Sequence, residues 1–505
     1  MDEHTIKSTY EMYKRSAKYH FDKLHYDECL TSIIYACKLA YTFNWIYTDD
    51  ELESIVHKIA KHFNITQNVQ PIENRIVLYD NFAMSNRGLT QQYLRALVKL
   101  HYDILLIITR SPNEIDKKMQ MELESYSKLN IEYVPQNKFA SKIQQIEKII
   151  ELVMKFKPAK AFMHMTPFDV AGNVAWNALS FVQRYQINLT DHAFWLGIRC
   201  SDYILEFRHY GYSLSIQMRH VPKEKLLLLP YYPIYDTDSD FQGIPEPIKG
   251  AVKLFSGGAL YKILGKDFKF IKIINNILLR NPNTIFYFAG AKEQDVPAII
   301  SIIKRQNLSD RWVFLGNRSD IAKIMEHIDI YIGTYPIGGG LMTQIAAAAA
   351  KPVICFQESS LSNFTNIEQL FHLNLNHKLV FTTSNLDEFN SIIDELIISS
   401  DKRNLNGKLL QSLLFTETDF ENELTHILEG KHQRYVVNDN KIPLDAIFKL
   451  YIDIDDKYLH KFCQLNINSI CLKNSPILLL RSVIMYCYYN WEKLPYKILM
   501  HFYKN

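Results

Sequence analysis

Two kinds of apolar spacing divide this 505-residue chain. Between about residues 71 and 430, short apolar-rich runs alternate with amphipathic stretches such as Leu89 to Leu100. The runs include Arg75 to Asp80, Ala159 to Met163, Tyr185 to Thr190, Ala251 to Phe255 and Ile328 to Ile332. Continuous apolar runs suit strands buried on both faces, and their alternation with helical spacing predicts parallel sheets with helical crossovers. Outside this region the spacing is helical. Residues 1–70 carry the run Leu30 to Leu39 and the stripe Leu52, Ile55, Val56 and Ile59 ahead of Pro71. One or two helical pairs are too few for a solenoid, which needs about three repeats, so a packing cap is expected there. The stretch Asp236 to Pro247 is rich in turn formers and acids and is expected to be the hinge between two sheet-bearing halves. The expected division is a helical extension at 1–70, α/β domains at 71–240 and 248–430, and a second helical extension at 431–505.

The candidate chemistry sits in two strand-to-helix loops. Lys253-Leu-Phe-Ser-Gly257-Gly258-Ala-Leu-Tyr-Lys262 follows one strand, and Gly333-Thr-Tyr-Pro-Ile-Gly338-Gly339-Gly340-Leu341-Met342 follows another. Ligands of open parallel sheets bind at such carboxyl ends. The three glycines let the backbone approach a ligand, and the helix expected to start near Leu341 aims its positive end at the same place. Together with the Lys262 ammonium this suits an anion such as a diphosphate. A tight turn is the plain alternative for the glycines.

Five ordered fragments carry a resemblance. Ala259-Leu-Tyr-Lys262-Ile, Asn281-Pro-Asn-Thr-Ile-Phe-Tyr-Phe, Leu308-Ser-Asp-Arg311-Trp-Val-Phe-Leu-Gly316, the glycine loop and Lys351-Pro-Val-Ile span about 180 residues. Their layout resembles the C-terminal half of GT-B glycosyltransferases, closest to the protein O-GlcNAc transferases and their bacterial relatives. The resemblance implies an α/β GT-B fold, with two Rossmann-like domains facing a cleft. It also implies a nucleotide-sugar donor, UDP-linked, with Lys262 on its diphosphate. Gly257, Gly258, Gly338, Gly339, Gly340, Leu341, Met342, Thr343 and Gln344 complete the expected donor site. Many GT-B enzymes place a ribose-binding acid seven positions before the Pro of the Pro-Val strand; here that position is Ile345. Thr343, Gln344 and Glu358 are the candidates to replace it.

The first α/β domain takes the acceptor side in this reading. Its loop Asn81 to Gly88 offers Asn86, Arg87 and Gly88. His192, in Asp191-His192 past the strand Tyr185 to Thr190, resembles the GT-B histidine that approaches sugar or acceptor. A neutral imidazole there can take a proton from an acceptor hydroxyl, with Asp191 orienting it or acting itself. Glu206 and Arg208, in the polar cluster Cys200 to Gly211, and His164 after the strand Ala159 to Met163 are further acceptor-side candidates. Surface ion pairing is the plain reading of the first two.

Composition narrows the function. The formal charge is +3, with 57 Lys and Arg interspersed among 54 Asp and Glu, which argues against a nucleic-acid binder. The seven cysteines contain no Cys-x-x-Cys pair, so reduced thiols in a cytoplasmic protein are expected, with no zinc site and no disulfide framework. No basic-then-apolar leader follows Met1 and no apolar run approaches the roughly twenty residues of a membrane span. Lys473 to Asn505 mixes Ile477-Leu-Leu-Leu, many aromatics and the cations Arg481, Lys493, Lys497 and Lys504. That pattern suits a helix packed on a domain, and also one lying at the inner face of an anionic membrane.

The leading expectation is a metal-independent hexosyltransferase or N-acetylhexosaminyltransferase acting in polysaccharide biosynthesis or protein glycosylation. Its acceptor would be a glycan, a lipid-linked sugar or a protein. No Asp-x-Asp motif stands in a metal-binding context: Asp453, Asp455 and Asp456 fall in the helical tail, outside the expected cleft, and read as a solvated face. A nucleotide-sugar epimerase of the same fold and an inactive partner of another transferase are the alternatives, the latter motivated by the absent ribose carboxylate.

Overall fold

Every strand among the described residues belongs to one of two parallel sheets. The computed structural model describes residues 2–490 except 64, 66–68, 83–88, 116, 237–239, 359–360, 362–366, 373–381 and 432–441. The first sheet holds β1 (Ile72–Asp80), β2 (Asp103–Ile108), β3 (Leu129–Tyr133), β4 (Pro158–His164), β5 (Gln183–Asn188), β6 (Tyr203–Glu206) and β7 (Leu226–Leu228). The second holds β8 (Val252–Gly257), β9 (Thr284–Ala289), β10 (Trp312–Gly316), β11 (Ile330–Ile332), β12 (Val353–Phe356) and β13 (Thr382–Thr383). Their orders are β3-β2-β1-β4-β5-β6-β7 and β10-β9-β8-β11-β12-β13. All pairings are parallel. Each order reverses beside the first strand of its sheet, at β1/β4 and β8/β11, which opens a crevice at the strands' carboxyl ends.

Side chains alternate between two cores along these strands. Val77, Tyr79, Leu105, Ile107, Ala161 and Met163 enter one core, whereas Ile76, Leu78, Ile104, Leu106, Ile108 and Phe162 enter the other. The second sheet divides likewise, with Leu254, Phe286 and Ile332 on one face and Phe255, Tyr287 and Tyr331 on the other. A period of two with both faces covered is why the strands read as continuous apolar runs. Three details depart from the sequence reading. β5 ends at Asn188, so Asp191 and His192 lie in the turn beyond it, and His164 is the last residue of β4. The polar cluster Cys200 to Gly211 contains β6, because the four residues Tyr203 to Glu206 suffice for a short inner strand between β5 and β7.

The two ends of the chain pack together. Helices Glu3–Asp22, Tyr26–Phe43 and Asp50–Ala60 share the first sheet's core with Phe448, Ile452, Phe462, Ile470 and Cys471 from the helices after residue 443. The Tyr13 hydroxyl donates to Asn466 Oδ1 at 2.8 Å and accepts from Asn468 Nδ2 at 2.8 Å. The helix Glu417–Leu428 follows the second sheet in sequence yet inserts Phe420, Leu424 and Ile427 beside Tyr93 and Leu97 of the first. Lys99 Nζ reinforces that contact, reaching Glu417 at 2.6 Å and Glu421 at 2.5 Å. The turn-rich stretch between the sheets is fastened at its far end, where the Gln242 N–H donates to Asp320 Oδ2 at 2.9 Å and Tyr287 Oη to the Pro245 carbonyl at 2.7 Å.

The N-terminal helices also grip a loop of the first domain. Asp49 caps the helix Asp50–Ala60 by accepting from the Glu51 and Leu52 N–H groups at 3.0 Å, and Leu52, Ile55, Val56 and Ile59 bury its apolar stripe. Glu53 on the same helix is 1% exposed and accepts from the backbone N–H groups of Gly197 (2.6 Å), Ile198 (2.9 Å) and Arg199 (3.2 Å). Burial raises the Glu53 pKa, and these three bonds oppose the rise. Asn44 Oδ1 accepts from the Phe194 N–H at 3.0 Å. Replacing Glu53 by Ala leaves three N–H groups without their acceptor, so a loss of about 3 kcal/mol or more is expected, with Glu53→Gln intermediate. Equilibrium denaturation checks this, and a Glu53→Ala variant as stable as the parent would reduce the N-terminal helices to a simple cap.

Candidate functional site

Loops from the two halves meet near the strands' carboxyl ends, where Tyr210 clusters with Ile337 and Tyr261. On the second-sheet side, β8 delivers Ser256 and Gly257 to the strand end, and Gly258 turns the chain at φ +147°, a conformation that side chains disfavour. A tight turn, Leu260–Ile263, then brings Lys262 toward the glycine loop, where its Nζ donates to the Gly338 carbonyl at 3.5 Å. The loop itself is braced by Thr334, whose hydroxyl donates to the Ile337 carbonyl at 2.7 Å. The helix Gly340–Ala348 begins there with Gly339 at its cap, and Thr343 N–H to Gly339 carbonyl, at 3.0 Å, is an opening helical bond. The preceding N–H groups of the first turn and the positive end of the helix dipole point into the crevice.

The structure brings most of the expected donor residues together. The Met342 methyl lies 2.8 Å from where a Cβ on Gly257 would sit, and Leu341 and Met342 pack on the apolar cluster of that sheet face. Thr343 and Gln344 are buried. The Ser256 hydroxyl and Gln344 Oε1 are buried polar atoms without a hydrogen-bond partner, as expected of groups set aside for a ligand or water. Gln344 Nε2 is engaged, donating to the carbonyls of Tyr231 at 3.3 Å and Leu370 at 3.2 Å. Glu358 is committed elsewhere, receiving the Lys269 ammonium at 3.1 Å and the Tyr335 hydroxyl.

On the first-sheet side, Asp191 is fully buried and gripped by Arg208, whose Nε reaches Oδ2 at 2.5 Å and whose Nη2 reaches Oδ1 at 3.0 Å. Burial works to raise the Asp191 pKa, but the Arg208 charge and the bonds from His192 and Arg208 outweigh it and hold the group at about 2. His192 Nδ1 lies 3.2 Å from Asp191 Oδ1, and about a third of its side chain (32%) faces solvent. The ionised Asp191 can only accept, so His192 Nδ1 is the donor in this contact.

Other expected acceptor-side residues have different placements. Glu206 is completely buried, accepting from Asn188 Nδ2 at 2.9 Å and 3.0 Å and from the Ser215 hydroxyl at 2.5 Å. Burial pushes its pKa up to about 7, with the Arg219 charge opposing. It is therefore neither on the surface nor presented to an acceptor; it props the helix His209–Gln217. A Cβ on Gly211 of that helix would fall 2.3 Å from Glu206 Oε2 and 2.7 Å from the Asp191 Cβ, so only glycine lets the helix settle on both acids. Arg208 is also buried, stacked on the Phe207 ring at 5.4 Å and the Tyr210 ring at 5.0 Å, so it too is not a surface ion pair. His164 is buried at the β1/β4 crevice, its Nδ1 2.8 Å from the Thr90 hydroxyl, which donates to Asp80 at 2.7 Å. Asn86, Arg87 and Gly88 lie outside the described residues.

Several residues at this site carry no sequence signal. Arg219 sits beneath the Asp191 turn, donating to the Asp191 carbonyl at 3.0 Å and the Ala193 carbonyl at 2.6 Å while stacking over Trp195 at 5.0 Å. Tyr231 spans the halves, with its ring 4.9 Å from Phe207 and its carbonyl on Gln344. Tyr210, beside Arg208, clusters with Ile337 of the glycine loop and Tyr261 next to Lys262. Among the described residues no three His, Cys, Asp or Glu side chains are grouped to hold a metal ion.

No protein family matches the sequence, and no curated protein does. Solved structures do match. A glycosyltransferase of Rickettsia africae aligns over 71% of this chain and 98% of its own, with a TM-score of 0.52 and 11% identity. HepE of Anabaena, solved with UDP and glucose, aligns over 70% and 99% at 0.50 and 14%. An O-GlcNAc transferase mutant of Thermobaculum terrenum aligns over 88% and 83% at 0.50 and 14%. At such identities the likeness is one of fold. Two parallel sheets with crevices at their switch points, matched along nearly the whole of the first two of these proteins, establish that this chain has the GT-B fold.

Proposed function

We propose that the protein is a glycosyltransferase that moves a sugar from a nucleotide-sugar donor to a glycan, lipid-linked or protein acceptor. The observation that carries this reading is the convergence of the Lys262 ammonium on the open end of the helix Gly340–Ala348, at Gly338. That pairing offers one side-chain cation and a fixed set of N–H donors to a diphosphate. In sugar transfer the bond from the anomeric carbon to the diphosphate breaks, and charge grows on the departing oxygen. Donors already aimed at that oxygen stabilise the transition state more than the ground state. HepE was solved with UDP and glucose, which favours a UDP-linked donor here.

His192 is the proposed base or sugar-orienting group. Its Nδ1–H is held by Asp191, so Nε2 can take the acceptor hydroxyl's proton as the new glycosidic bond forms. Asp191, kept ionised by Arg208, fixes the tautomer and stabilises the imidazolium that results.

A thermal-shift screen against nucleoside diphosphates tests the reading directly, because the ligand bound by the folded state raises apparent stability. UDP is expected to give the largest shift, and no shift with any nucleoside diphosphate would remove the donor site. Lys262→Ala is expected to lower kcat/KM by the equivalent of about 2–4 kcal/mol, the scale of one lost electrostatic donor, with the melting temperature retained. Steady-state kinetics with saturating acceptor measures it, and an unchanged value would unseat Lys262. His192→Ala is expected to slow transfer about a hundredfold or more while UDP affinity persists. Loss of UDP affinity with turnover preserved would instead make His192 a donor-binding residue.

A further inference from the structure

The helix Pro476–Asn490 has two unlike faces. Leu478 and Leu479 pack against the core that joins the chain ends, Ser482 is buried, and the Tyr489 ring stacks on His460 at 3.6 Å. The other face carries Ile477 (70% exposed), Leu480 (61%), Ile484 (57%), Met485 (40%) and Tyr488 (75%), with exposed Arg481 among them. At 100° per residue these six positions fall within about 140° of the helix circumference, along roughly 16 Å of its length. Monomeric proteins seldom leave such a continuous apolar stripe in water.

The charge around the stripe selects its occupant. From Lys461 to Asn490 the sequence has Lys461, Lys473 and Arg481 and no Asp or Glu, and the Asp456 carboxylate that acts on this helix does so at Tyr489, on its packed face. Lys473 and Arg481 are exposed. A second copy of the same face would set like charges against each other. The stripe is hydrocarbon, one phenol and one guanidinium, with few of the hydrogen-bonding groups that rim specific protein interfaces. No helix among the described residues is long and apolar enough to cross a membrane. An apolar face with Tyr at its edge and cations within and beside it suits insertion at the headgroup level of an anionic bilayer.

We propose that this face of the helix Pro476–Asn490 docks the protein on an anionic phospholipid surface. The inference stands apart from the catalytic reading, since it rests on the exposed stripe and its charge alone. The test is cosedimentation of the full chain with phosphatidylcholine vesicles with and without phosphatidylglycerol. Binding is expected only to the anionic vesicles, weakening as salt is raised. Leu480→Ser with Ile484→Ser is expected to weaken it more than tenfold, and Arg481→Gln about fivefold, the worth of one cation near such a surface. Tyr488→Ser, at the most exposed position, is a second reporter should the double variant fail to fold. No binding to anionic vesicles, equal binding to neutral ones, or unchanged binding of the folded variants would overturn the proposal. Self-association of the parent chain that Ile484→Ser abolishes, without vesicle binding, would overturn it in favour of a second copy.

Discussion

The first-sheet side of the site depends on keeping one buried ion pair, Asp191 with Arg208, in register. Two charges taken out of water lose solvation, and their attraction recovers it only when geometry and additional bonds are good. Here the pair is bidentate, and Asp191 has a further contact from His192. Arg219 secures the backbone on either side of His192 through two carbonyls. The loop that follows is held by Glu53 and Asn44 from helices that precede the first strand. Asp191 is thus fixed by the α/β domain and its loop by the N-terminal helices. Those helices are part of the site's support as well as a cover for the sheet.

A second constraint holds the two halves in contact. Tyr231 stacks on Phe207 from the first domain and offers its carbonyl to Gln344 in the glycine-loop helix. Tyr210 sits among Ile337 and Tyr261, and its N–H reaches Gln369 at 2.8 Å. Both links run within a few residues of Arg208, so the ion pair that orders His192 also abuts the surface facing Lys262. A change in the angle between the sheets would therefore be felt at both ends of the proposed reaction centre at once.

What the sequence disclosed follows from how local each signal is. The sheets were legible because strands buried on both faces are continuous apolar runs, and the proposed donor site because Lys262 and the glycines each lie within ten residues of their strand. The first-sheet site was legible only in part. Asp191-His192 stands out, but the terminal position of Glu206 in β6 and its burial do not, since an acid between Leu205 and Phe207 reads equally well as surface. Glu53 is the clearest case. It lies on an amphipathic helix whose stripe is complete without it, and its partner Gly197 is 144 residues away. Likewise nothing in the spacing of Phe420, Leu424 and Ile427 tells that this helix returns to the first sheet rather than covering the second.

The placement of the acids and bases suggests why the two sides of the site are built so differently. On the second-sheet side Lys262 reaches the Gly338 carbonyl, and the Glu358 carboxylate that receives the Tyr335 hydroxyl of the same loop is paired with Lys269. On the first-sheet side Asp191, Arg208, Glu206 and Arg219 are packed together with nearly all their hydrogen-bonding capacity used internally, and the exposed member is His192. The one partly exposed imidazole of this network is held by its Nδ1 against the Asp191 carboxylate, which Arg208 grips through two bonds. Such a division suits the transfer proposed above, in which one partner must develop and release negative charge while the other gives up a single proton: Lys262 is the group proposed for the first need, and His192 for the second.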